Sequence, residues 1–161
     1  MGDKYAEGSR LVSTYAKWAA GAALVPVPLV DMVAITGLQI KMITDLAEHY
    51  DTPFRQEWVR GSLAALTSGI GSTKLAYGLG ASLLKVVPVI GSYGAMITLP
   101  ALAAATTYAV GQVFLQHFES GGTLLTFNAK NMRAHFEREF SARAADQTQG
   151  QPLAEAASPV A

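Results

Sequence analysis

The 161-residue chain has no cysteine, which excludes a disulfide framework and any thiolate-bound metal. Charge is scarce as well. Asp, Glu, Lys and Arg make up 15% of the residues and balance to zero, so the basic footprint that nucleic acid demands is missing and no nucleic-acid partner is expected. Aromatics are few, at 9%. The opening MGDKYAEGSRLVSTYAK alternates charges where a cleaved export signal would follow a basic start with an unbroken apolar core. Ala6 stands where a myristoylation motif wants Ser or Thr. What fills the chain is apolar: half the residues are hydrophobic and mean hydropathy is +0.25. Few charges with few aromatics point to a membrane protein or a very apolar helical bundle, and the length suits one domain.

The charges that exist are unevenly spread. Between Lys17 and Lys41 the only one is Asp31, between Arg60 and Lys85 the only one is Lys74, and between Lys85 and Glu119 there is none. The last stretch exceeds the ~20 residues needed to cross a hydrocarbon core, and is expected to be a membrane-inserted span or hairpin. Pro88, Gly91 and Gly94 predict a turn or kink at its front, with Pro100 starting or bending the second part. Small residues recur along two stretches, Gly78–Ser82 and Ala101–Ala105–Ala109, which predicts close helix packing and self-association.

Helical periodicity covers most of the remainder. Ser9 or Ser13 can cap a first helix running to about Leu24, with Tyr15 and Trp18 beside Lys17 as an interfacial anchor or the edge of a soluble core. Pro26 and Pro28 set the start of the next helix near Pro28. On it Asp31 either caps the first turn or is a buried functional charge, which in lipid must face protein or water. Thr52 and Pro53 predict the start of a third helix, and the glycines at 69 and 71 predict its break. From Thr123 a last amphipathic helix places Leu125, Met132, Phe136 and Phe140 on one face and Lys130, Arg133, Arg138 and Arg143 on another. Such a helix suits an anionic lipid surface or a partner-docking face. The expected organisation is an N-terminal tail over 1–8, a helical membrane-associated domain over 9–143 and a disordered tail over 144–161. The fold class is all-α: a membrane-associated helical bundle with Pro/Gly-broken hydrophobic helices or hairpins and a C-terminal amphipathic helix.

No catalytic chemistry is legible. Gly69-Ile70-Gly71-Ser72-Thr73-Lys74 is not a phosphate loop, because its lysine follows the hydroxyls and no strand precedes it. His49, His117 and His135 are too far apart in sequence to read as a metal site, and Asp45 with His49 reads as a solvated or interfacial pair. No nucleophile elbow is present, so neither an enzyme nor a cofactor is expected.

Four segments carry a family resemblance: Val25-Pro26-Val27-Pro28 with Asp31; Leu38-Gln39-Ile40-Lys41-Met42 leading to Tyr50; Val87-Pro88-Val89-Ile90-Gly91; and Ala105-Thr106-Thr107-Tyr108-Ala109-Val110-Gly111 running on to His117-Phe118-Glu119-Ser120-Gly121-Gly122. They resemble the domain-of-unknown-function-697 family of bacterial proteins, which occur alone or joined to small Era-like GTPase domains. The resemblance implies a helical, membrane-associated module linked to GTPase systems. This chain shows no GTPase domain, so nucleotide chemistry would belong to a separate partner.

The leading expectation is a non-enzymatic, self-associating scaffold or recruitment module in a bacterial inner membrane, with membrane lipid and a separate GTPase as partners. Basic residues near both ends place both termini in the cytoplasm. One alternative is an oligomeric pore or transport protein with Asp31, Gln39 and Lys74 in a polar path. Another is a soluble helical bundle that binds lipid or a protein partner. The residues singled out are Asp31, Gln39 and Lys74 as buried polar or partner contacts, Gly78, Ser82, Ala101, Ala105 and Ala109 for helix packing, and Lys130, Arg133 and Arg138 for the membrane surface.

Overall fold

A computed structural model describes the backbone of residues 2–24, 28–69 and 80–148, and the side chains of 2–24, 33–68 and 100–143. Five helices are present among them: α1 (Gly2–Ala22), α2 (Pro28–His49), α3 (Gln56–Gly69), α4 (Gly80–Glu119) and α5 (Ala129–Thr148), with no strand among the described residues. The fold is all-α, as expected.

The bundle is organised around the second half of α4, on which α1, α2 and α5 all pack. From Ala103 to Phe118 nearly every side chain is enclosed, including Ala105, Ala109, Val110, Val113, Phe114 and Leu115, each with no exposed surface. A helix that is apolar all round must be surrounded either by protein or by lipid. For residues 103–118 the surroundings are protein, so this half of the uncharged stretch is the core of the molecule. Among the described residues no helix is long and apolar enough to cross a membrane.

Contacts fix the directions. Gly8 lies against Leu115 and Val12 against Gly111, so α1 runs antiparallel to α4. Gln39 meets Thr107 and Tyr50 meets Glu119, so α2 runs parallel to it. Glycine is required at Gly111: a Cβ there would lie 2.5 Å from Val12 Cγ1 and 3.0 Å from Met42 Sδ. Ala105, Ala109 and Gly111 of the small-residue stripe are therefore used inside the molecule.

Helix ends show why the chain turns where it does. α4 stops as its glycines predict: Gly121 takes φ +81°, its N–H bonds the carbonyl of Phe118 at 2.9 Å, and Gly122 N–H bonds that of His117 at 2.9 Å. These two bonds form a Schellman closure. α2 ends in the same way with a non-glycine residue, Asp51 at φ +54°, and Thr52 N–H reaching the carbonyl of Ala47 at 2.7 Å. That closure commits Thr52 to α2, so α3 begins at Gln56 and not at Pro53.

Other boundaries also differ from expectation. α1 begins at Gly2 and takes in the residues expected as a tail. α4 is one helix through Pro88, Gly91, Gly94 and Pro100, where a turn or kink was expected. Proline removes one intrahelical bond, whereas a break in a charge-free run would leave several backbone groups without partners. α5 begins at Ala129 and not near Thr123, because Asn128 caps it, its Oδ1 accepting from Lys130 N–H at 3.1 Å and Asn131 N–H at 3.3 Å. Leu125 consequently lies in the preceding loop and is 71% exposed, while Phe136 and Phe140, expected with it on a lipid- or partner-facing side, are buried inside the bundle. Of the expected disordered tail, 144–148 belong to α5 and 149–161 lie outside the described residues.

Candidate functional site

Antiparallel pairing of α1 and α2 sorts the sequence by charge. At one end of the pair gather Lys4, Glu7, His49 and Asp51, joined from the C-terminus of α4 by Glu119. At the other end lie Trp18 and Leu24 of α1 and its following turn, and Val33 of α2, exposed by 55%, 49% and 75%. The described parts of the sparsely charged run between Lys17 and Lys41 belong to that second end. The molecule thus has a charged pole and an uncharged pole.

The charged pole is tied together by hydrogen bonds between helices. Tyr50 donates its hydroxyl to Glu119 Oε2 at 2.6 Å, and Lys4 Nζ sits 5.3 Å from the centre of the Tyr50 ring. His49 Nε2 lies 2.9 Å from the carbonyl oxygen of Lys4, which makes Nε2 the protonated nitrogen. Burial, then the hydrogen bond to Glu119, pushes the Tyr50 phenol above its ordinary range.

Midway along the pair is a second constellation. Asp45 accepts from Tyr15 at 2.5 Å and from Lys41, and Tyr15 packs edge-on against Trp18 with ring centres 5.0 Å apart. Asp45 does not pair with His49 as expected, since Lys41 lies one turn away on the same face with the opposite charge. Burial first, then the bond to Asp45, raises the Tyr15 phenol, and the same carboxylate raises the Lys41 ammonium.

Of the residues expected to be buried and polar, Gln39 is indeed buried, its Nε2 donating to Thr107 Oγ1 at 3.3 Å. Local periodicity does not mark Thr107 as its partner, since the two lie 68 residues apart. Asp31 lies in the first turn of α2, with its side chain outside the described residues, and Lys74 is outside them altogether. Among the packing residues, Ala105 and Ala109 are buried in the bundle and Ala101 is half-buried. Ser82 lies in α4 with its side chain outside the described residues, and Gly78 is outside them altogether.

The three cations expected at a membrane surface are not equivalent. Lys130 and Arg138 are exposed, Arg138 standing 3.5 Å from His135 Nδ1. Arg133 turns inward, its Nη2 donating to the carbonyl of Ala65 at 3.1 Å and so tying α5 to α3. Arg143, drawn on the same polar side, lies over the Tyr108 ring at 5.0 Å. Among the described residues no three His, Asp or Glu side chains group as a metal site.

Fold and site together define a small all-helical bundle with opposed charged and uncharged poles and hydrogen-bonded seams between its helices. A family model described as "Domain of unknown function (DUF697)" matches residues 2–144, and the chain belongs to that family. It is 36% identical over 130 residues to "Magnetosome membrane protein 22" of Magnetospirillum gryphiswaldense, an alignment covering 81% of this chain and 67% of that protein. No solved structure matches it.

Proposed function

We propose that the chain is a non-enzymatic helical module that attaches to a bacterial membrane by its uncharged pole and offers its charged pole to a protein partner. The observation that carries this reading is the sorting of charge along α1 and α2, with Trp18, Leu24 and Val33 exposed at the end where charge is nearly absent. Solvent-exposed apolar side chains clustered beside an uncharged run are costly in water and favourable against lipid. Kinship with a protein named for the magnetosome membrane supports the same placement. Alkaline carbonate extraction of membranes from cells expressing the full chain tests it. Retention in the pellet is the expected result, and release into the supernatant contradicts it.

Burial of residues 103–118 within the bundle favours a second reading on one point, the depth of attachment. That half of α4 is enclosed by protein, so in this reading contact with lipid falls to the first half of α4, the end of α1 and the start of α2. Finer assignments rest on the family resemblance and on charge placement. They are a separate GTPase as partner, an inner-membrane location and both termini in the cytoplasm. Self-association, if mediated by small residues, would use Gly78–Ser82, since Ala105 and Ala109 are occupied inside the bundle. Crosslinking in native membranes that yields only monomer would refute self-association, and reporter fusions on opposite sides would refute the orientation.

A further inference from the structure

The Trp18–Tyr15–Asp45–Lys41 constellation falls where both helices change character. Before Trp18, α1 carries Asp3, Lys4, Glu7, Arg10 and Lys17, and after it no charge; after Lys41, α2 carries Asp45 and Glu48, and before it only Asp31. These two transitions are 23 residues apart in sequence, yet the Tyr15–Asp45 bond of 2.5 Å and the 5.0 Å Tyr15–Trp18 contact bring them to one level. Coincidence of the two changes at a single height is what a planar boundary between water and lipid requires.

Resting on the membrane reading above, we propose that this constellation marks the level of the bilayer surface, with Trp18 and Tyr15 seated among lipid headgroups. The chemistry of each residue fits that zone. Trp18 presents a half-exposed amphipathic ring, the kind of side chain enriched at headgroup depth. Lys17 is exposed beside it, and the Lys41 ammonium can extend along its aliphatic stem to the aqueous side. Asp45 would be repelled from this zone as a bare carboxylate. It is matched by Lys41 and receives the Tyr15 hydroxyl, so the Asp45 carboxylate does not face the interface unpaired. The charged pole at Lys4, Glu7, His49 and Asp51 then stands clear of the membrane, and Val33 and Gly21 lie on the lipid side.

Absence of native cysteine makes this measurable on the full chain. Single substitutions Arg10→Cys, Thr14→Cys, Gly21→Cys and Val33→Cys fall at exposed positions and leave the constellation intact. Each variant carries a nitroxide and is reconstituted in phosphatidylcholine–phosphatidylglycerol vesicles. Relaxation by dissolved oxygen against a water-soluble nickel chelate reports depth. The expected result is nickel accessibility at 10 and 14 and oxygen accessibility at 21 and 33, with the crossover between Thr14 and Gly21. Vesicle-bound protein in which all four labels meet nickel, or in which the order is reversed, overturns the level while leaving membrane attachment standing. Protein that does not float with the vesicles overturns the attachment and the level with it.

Discussion

Single residues hold the helices of this bundle in register through hydroxyl–carboxylate and amide–hydroxyl bonds. Tyr15 and Tyr50 both have phenols raised above the ordinary value near 10, by burial first and then by bonds to Asp45 and Glu119. A raised folded value means that the folded state holds the proton more tightly than the unfolded one. The stabilisation is complete below about pH 10 and is lost as pH rises from there towards the folded value. Thermal unfolding followed by circular dichroism is expected to show a falling midpoint above pH 10, less steep in Tyr15→Phe and Tyr50→Phe. Gln39 and Thr107 make a second test. Gln39→Leu alone strands the buried Thr107 hydroxyl at a cost of about 1–3 kcal/mol, and adding Thr107→Val should cost less than the sum of the two single changes. At Asp51, glycine removes left-handed strain of about 1–2 kcal/mol and returns about half as chain entropy. The exposed Lys4 pair that is lost contributes little. Asp51→Gly is therefore expected to stabilise by about 0.5–1 kcal/mol in chemical denaturation.

Proline and glycine made some element boundaries legible in the sequence and misled at others, since α3 does not start at Pro53 and α4 runs through Pro88, Gly91, Gly94 and Pro100. The described part of α2 starts at Pro28, and the Gly121–Gly122 pair closes α4, whereas the break expected after Gly69 falls on residues outside the described ones. Boundaries set by side-chain capping or by contacts distant in sequence were not legible. Asn128 caps α5 from within a segment already read as helix, and Thr52 is drawn into the closure of α2 by a bond to Ala47. Apolar content alone could not tell a lipid-facing helix from one enclosed by three others, which is why the second half of α4 read as a membrane span. Its packing can be tested at the α1 crossing. Gly111→Ala would push a methyl group into Val12 and is expected to destabilise by about 1–3 kcal/mol. Val12→Ala in the same chain should recover part of that loss, because the two positions share one contact.

The whole molecule combines a protein-enclosed core with two unlike ends, and that asymmetry carries its proposed role. Sequence reading located the sparsely charged runs and set Tyr15 and Trp18 beside Lys17 where the first of them begins. The convergence of 17–18 with 41 depended on the antiparallel pairing of α1 and α2, and so was visible only in the structure. A central claim follows, that attachment depends on the position of exposed apolar groups and not merely on their number. Flotation of the full chain with phosphatidylcholine–phosphatidylglycerol vesicles tests it directly, comparing Leu24→Glu/Val33→Glu at the uncharged pole with Leu125→Glu in the α4–α5 loop. A carboxylate taken into lipid costs at least ~2.5 kcal/mol. The double variant should therefore lose floating protein at least about tenfold, while Leu125→Glu floats like the parent chain. Equal flotation of the parent and the double variant, or loss in Leu125→Glu alone, would contradict attachment through the uncharged pole.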